Sequence, residues 1–123
     1  MAKKISLVFL IVVATFIVSA QGNDALPQWV NNLIVKYKTA PVGNPPRSIW
    51  QYEYKEQTVY YMPEQCCDQG SELYNDHGKI ICSPDGGRTG SGDGKCADFF
   101  TKRKNEKLIW EDSRIWKNSS NRE

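Results

Sequence analysis

The run Ser48-Ile49-Trp50-Gln51-Tyr52-Glu53-Tyr54-Lys55-Glu56-Gln57-Thr58-Val59-Tyr60-Tyr61-Met62 decides the class of fold. Its first half alternates, with Trp50, Tyr52 and Tyr54 on one side and Ile49, Gln51 and Glu53 on the other, the period-two pattern of a half-buried strand. Its second half, Thr58 to Met62, is β-branched and aromatic, a composition suited to a pleated surface. Lys55-Glu56-Gln57 between the halves predicts a hairpin turn.

Toward the N-terminus, Leu26, Val30, Leu33, Ile34 and Tyr37 recur at three-and-four spacing, which predicts an amphipathic helix from Pro27 to about Lys38. Pro27 is tolerated in a first turn. Gln28, Asn31, Asn32 and Lys36 make its wet side. Ala40-Pro41-Val42-Gly43-Asn44-Pro45-Pro46 ends it, because prolines lack a donor and push their predecessors out of helical geometry. Toward the C-terminus, Leu73 and Tyr74 lead into a turn at Asn75-Asp76-His77-Gly78, and Lys79 to Cys82 reads as a third strand. Cys96 to Lys104 reads as a short helix capped at Asp98, and Lys107 to Glu111 as a last strand. No helix alternates between strands, so a parallel α/β design is excluded. The expected class is α+β, with an N-terminal amphipathic helix packed on a small antiparallel sheet and most of the strand aromatics beneath it.

The first twenty residues read as a signal peptide. Lys3 and Lys4 precede an almost unbroken apolar run, Ile5 to Val18, and Val18-Ser19-Ala20 offers small residues for cleavage after Ala20. The run is short of the roughly twenty residues that a bilayer-spanning helix needs. No cysteine follows the cut to take a lipid. The expectation is a secreted or periplasmic protein with no stable membrane anchor after cleavage. It should form a single compact domain over residues 21–116, with a disordered polar tail at 117–123, and act as a monomer.

Cleavage removes two of the sixteen basic residues and none of the fourteen acidic ones, so the mature chain is electrically neutral. Overall charge then gives no argument for nucleic acid or an anionic membrane. Lys102, Arg103, Lys104 and Lys107 are followed at once by acidic residues and read as a solvated face.

A mature chain of this length sits at the lower end of what a hydrophobic core holds up alone. Cys66, Cys67, Cys82 and Cys96 supply help, since an even count in an exported chain reads as disulfides. Adjacent cysteines have Cα atoms about 3.8 Å apart, below the usual disulfide range. The expectation is therefore that Cys66 and Cys67 each pair with Cys82 or Cys96, in either of two schemes.

Between Cys82 and Cys96 lies Ser83-Pro84-Asp85-Gly86-Gly87-Arg88-Thr89-Gly90-Ser91-Gly92-Asp93-Gly94-Lys95. So much glycine serves left-handed backbone or the close approach of a ligand, which makes Asp85, Gly86, Gly87, Arg88, Thr89, Gly90, Gly92, Asp93 and Gly94 the candidate binding loop. A P-loop is excluded, because position 89 is Thr where glycine is required and Cys96 follows Lys95. The spacing of Gly90, Gly92 and Gly94 misses the dinucleotide fingerprint. An EF-hand fails because Gly87 and Cys96 stand where ligands belong. A non-standard calcium site using Asp85 and Asp93 remains an alternative, and no other cofactor is implied.

Catalysis has little to build on. His77 is the sole histidine and lies in a turn, and oxidised cysteines cannot serve as nucleophiles. Asp68, Glu72, Asp76 and Asp85 would have to pair in space to support a carboxylate hydrolase. Asn118-Ser119-Ser120 matches a glycosylation acceptor that has meaning only in a eukaryotic host.

The motifs Asn44-Pro45-Pro46, Thr58-Val59-Tyr60-Tyr61 with Pro63, Cys66-Cys67-Asp68-Gln69 and Leu73-Tyr74 mark the first half of a pattern. Ile81-Cys82 with Pro84-Asp85-Gly86-Gly87, then Thr89-Gly90, Gly92-Asp93-Gly94 with Cys96, and Leu108-Ile109-Trp110 complete it. Across roughly residues 28–114 this resembles a family of small exported bacterial proteins that carry a domain of unknown function. The resemblance implies export and one compact domain, and supplies no activity or catalytic residue. The function expected is a non-enzymatic binding or inhibitory module for a protein or a glycan, with no nucleic-acid partner.

Overall fold

The computed structural model describes residues 25–66 and 68–114. The expected signal peptide, the polar tail, Asn118 and Cys67 lie outside them. The elements run α1 (Gln28–Thr39), β1 (Ser48–Tyr54), β2 (Gln57–Met62), β3 (Glu72–Asn75), β4 (Ile80–Cys82), α2 (Phe99–Lys102) and β5 (Lys104–Glu111). The strands form one antiparallel sheet in the order β4-β3-β2-β1-β5, so the chain is α+β.

The hairpin at the centre pairs Tyr54 with Gln57 across a two-residue turn. Lys55 and Glu56 both take positive φ, 49° and 61°, as the twist-matched primed turn demands. Strand β3 adds to β2 with Tyr61 opposite Leu73. Leu73 and Tyr74 thus belong to a strand of their own rather than to the lead of a turn. Strand β5 is longer than its apolar core Leu108-Ile109-Trp110 suggests. Two register shifts against β1, and positive φ at Asn105, carry its polar first half along the edge.

The sheet is covered on both faces. On one, Leu26 and the α1 residues Trp29, Val30, Leu33, Ile34 and Tyr37 pack against Ile49, Tyr60, Met62, Tyr74, Ile109 and Trp110. On the other, Trp50, Tyr52, Tyr54, Val59, Tyr61 and Leu73 meet Cys82, Cys96 and Phe99. The aromatic row Trp50-Tyr52-Tyr54 therefore turns away from α1, correcting the expectation that it packs beneath the helix. Alternation fixes which residues share a face, and α1 takes the face of Ile49. Phe99 is fully buried and centres the second core, with ring centroids 5.4–5.5 Å from Tyr52, Tyr54 and Tyr61.

The cysteine scheme is also corrected. Cys82 bonds to Cys96, with Cα atoms 6.1 Å apart, because the glycine-rich loop leaves β4 and returns over the same face before α2. Cys66 is disulfide-bonded as well, and neither Cys82 nor Cys96 is available to it. The second helix is shorter than expected. Asp98 does stand at its N-cap, but makes no side-chain cap bond and instead accepts a hydrogen bond from the Tyr54 hydroxyl and pairs with Lys102.

Candidate functional site

The loop 83–95 is braced from inside. Asp85 accepts a hydrogen bond from the Tyr61 hydroxyl at 2.9 Å, and its carbonyl takes Ser71 N, Ser71 Oγ and Ser83 Oγ at 3.0, 3.1 and 3.2 Å. Gly86 bridges Gly70 and Ser91, and Gly87 N donates to Gln69 O at 3.1 Å. Asp93 accepts from Ser83 N and Lys95 N, both at 3.0 Å, and these bonds hold its carboxyl below the usual range. At Gly92, φ is +68° and an added Cβ would fall 2.0 Å from Ser83 O. Arg88, Thr89, Gly90 and Gly94 stand exposed at the rim. Each carboxylate proposed for calcium thus has protein donors. Among the described residues, no three His, Cys, Asp or Glu side chains gather where they could hold a metal ion.

The carboxylates considered for hydrolysis do not converge either. Asp85 serves Tyr61 on the face of the second core, whereas Glu72 accepts from the Tyr74 hydroxyl at 2.6 Å on the α1 face. Asp76 stands in the exposed turn beside His77, 3.5 Å from its Nε2. Asp68 is exposed in the connection after β2.

The basic run is used structurally. Arg103 donates to the Tyr52 hydroxyl at 3.0 Å and lies over the Tyr52 and Phe100 rings. This half-buried arginine is not part of a uniformly solvated face. A groove of about 390 Å³ beside it is lined by Glu53, Lys55, Glu56 and Thr101 to Lys104. Several of its polar groups are already engaged: Lys102 with Asp98, Asn105 with Glu53, and Lys55 over the Tyr54 ring.

A second cleft, of about 270 Å³, differs in this respect. It opens where the C-terminal half of α1 crosses the start of β1 and the β2–β3 connection. Lys36 and Tyr37 come from α1, Arg47 and Ser48 from the entry to β1, Gln65 and Gln69 from the connection, and Glu72 and Tyr74 from β3. The two connections are tied by a hydrogen bond from Cys66 N to Asn44 O at 2.8 Å. Gly43 lets Gln65 tuck in, since a Cβ there would sit 2.0 Å from Gln65 Oε1. That oxygen is buried with no hydrogen-bond partner, an arrangement native proteins use sparingly.

Ser48 Oγ accepts from Trp50 Nε1 at 3.0 Å and Glu72 from the Tyr74 hydroxyl, whereas Tyr37 and Arg47 are underused. The Tyr37 hydroxyl has only the Met62 sulfur, 4.0 Å away. The Arg47 guanidinium lies over the Tyr37 ring at 4.9 Å and makes no ion pair among the described residues. Burial raises the Tyr37 pKa, as does the Glu72 charge, against a lowering by Arg47. Burial and the Glu72 hydrogen bond raise that of Tyr74. Both phenols therefore remain protonated donors at neutral pH. The volume falls just below the roughly 300–1,000 Å³ of sites for drug-sized ligands, so a single ring-sized polar group suits it.

Sequence reasoning did not assemble this cleft. Tyr37 reads as core, Lys36 as helix surface and Gln69 as part of a cysteine motif, and their spacing carries no signal of convergence. The motifs at 44–46 and 66–69, which flank Arg47 and Gln65, are the one pointer to it.

Fold and cleft together define a small, disulfide-stapled α+β domain with a polar cavity on its helical face. The chain belongs to the family described as Domain of unknown function (DUF6970), whose match spans residues 35–112 and so takes in the whole sheet, the glycine-rich loop and the cleft. No curated protein and no solved structure matches it.

Proposed function

We propose that the protein is an exported, non-enzymatic, monomeric binding module that takes one sugar unit of a glycan into the cleft between α1 and the β2–β3 connection. One observation carries this reading: the Tyr37 hydroxyl, Arg47 guanidinium and Gln69 amide line one cavity, and none has a protein nitrogen or oxygen partner among the described residues. Polar groups left unpaired in a concave site are those a hydroxyl-rich ligand satisfies, and planar amide and guanidinium groups suit vicinal hydroxyls. Among the described residues no helix is long and apolar enough to cross a membrane.

The test is a glycan array probed with the mature protein and with a Tyr37→Phe, Gln69→Ala variant whose folding is checked by its melting temperature. Saturable binding that the variant loses supports the reading. Failure of the native protein to retain any glycan contradicts it. A second reading, inhibition of a secreted hydrolase, draws on Arg88 and Thr89, exposed between Gly87 and Gly90 on a loop closed by the Cys82–Cys96 bridge. It predicts inhibition of a basic-specific protease that Arg88→Ala abolishes.

A further inference from the structure

We propose that the sugar unit is an acidic one, a ring bearing a single carboxylate, and that Arg47 selects it; this rests on the cleft being the binding site. Two of the other arginines are already committed. Arg114 is paired with Asp112 at 2.7 Å, and Arg103 donates to Tyr52. Arg88 stands exposed on the glycine-rich loop. Arg47 is half-buried, lines a cleft and makes no ion pair or side-chain hydrogen bond among the described residues, and the carboxylate nearest in charge to it, that of Asp112, is already paired with Arg114.

The Arg47 guanidinium carbon lies 4.9 Å from the Tyr37 ring centroid, and its N–H groups make no side-chain hydrogen bond among the described residues. These form the fork that takes a carboxylate through two parallel hydrogen bonds. Lys36 adds a second positive charge on the helical rim. Glu72 is the acid lining the cleft, and Asp112, whose charge Arg47 also meets, is neutralised by its own pair with Arg114, so the two cations of the lining outnumber its one acid. A neutral sugar would offer Arg47 only hydroxyl acceptors, whereas a carboxylate offers two parallel bonds between opposite charges. The Tyr37 hydroxyl and the Gln69 amide are left to hold the ring.

The experiment is calorimetric titration of the mature protein with D-glucuronate and with D-glucose, repeated on Arg47→Gln and Arg47→Lys. The native protein should bind glucuronate at least about tenfold more tightly than glucose, a difference of about 1.4 kcal/mol. In Arg47→Gln that preference should vanish, so that glucuronate and glucose bind the variant within about threefold of each other. Arg47→Lys keeps the charge and the aliphatic stem without the fork, and should retain only part of the preference. Equal affinity for the two sugars, or a preference that survives Arg47→Gln, overturns the acidic selectivity and leaves the binding reading standing. No saturable binding of either sugar, together with a blank glycan array, overturns both.

Discussion

Gly92→Ala is expected to destabilise the domain by about 3–4 kcal/mol, while Gly90→Ala, its matched control, should cost about 1–2 kcal/mol. Both glycines lie at positive φ, 68° and 75°, so both substitutions incur the left-handed penalty of about 1–2 kcal/mol. They differ in what surrounds the new methyl group. Nothing lies within 4 Å of a Cβ at Gly90. At Gly92 it would meet Ser83 O, Pro84 C and Asp85 N at 2.0, 2.7 and 2.8 Å, all of them backbone atoms that no rotamer change can move aside. Relief requires the segment 83–85 to part from the returning loop. That breaks the bonds from Gly92 N to Gly86 O and from Asp93 N to Ser83 O, each with a net worth of about 1 kcal/mol. The assay is reversible denaturation under oxidising conditions. A gap of about 2 kcal/mol corresponds to roughly 8–16 °C in Tm for a domain of this size. Equal losses for the two variants would refute the claim that the loop is folded onto the second core.

Replacing both Cys82 and Cys96 by serine should cost about 3 kcal/mol, the chain-entropy value for a loop near the observed separation of 14 residues, as read by urea denaturation. Glu56→Gly should stabilise by about 0.5–1 kcal/mol, because it relieves left-handed strain at φ 61° at a smaller cost in unfolded-state entropy, and a higher urea midpoint would show it. Acid should weaken the fold. Hydrogen bonds from Lys95 N, the Tyr54 hydroxyl and the Arg114 guanidinium hold the carboxyls of Asp93, Asp98 and Asp112 below their ordinary value. Their contribution is complete above the ordinary value near 3.9, and is lost as pH falls through the lower folded-state values. Asp112→Asn should flatten that decline in denaturation curves taken between pH 5 and pH 2.5.

The central hairpin was legible because Trp50, Tyr52 and Tyr54 alternate strictly and a polar triplet interrupts two β-rich runs. Strand β3 was not, since four residues offer only two inward positions, Leu73 and Tyr74 fall on opposite faces, and the turn chemistry at Asn75-Asp76 dominates the local signal. The disulfide pattern was misread for a physical reason. Excluding an adjacent bridge forces both Cys66 and Cys67 outward, whereas the loop brings Cys96 back to Cys82. Glycine density correctly marked left-handed backbone, yet much of it serves to fold the loop onto Tyr61, Ser71 and Gln69. The cleft was invisible because Tyr37, Arg47 and Gln69 meet only once α1 crosses the sheet.

The most direct test of the account is an NMR titration of the isotope-labelled protein with D-glucuronate. The account predicts saturable shifts confined to Lys36, Tyr37, Arg47, Gln65, Gln69 and Tyr74, with the amides of 86–94 unmoved. Shifts that map to the glycine-rich loop instead, or none at saturating ligand, would contradict it.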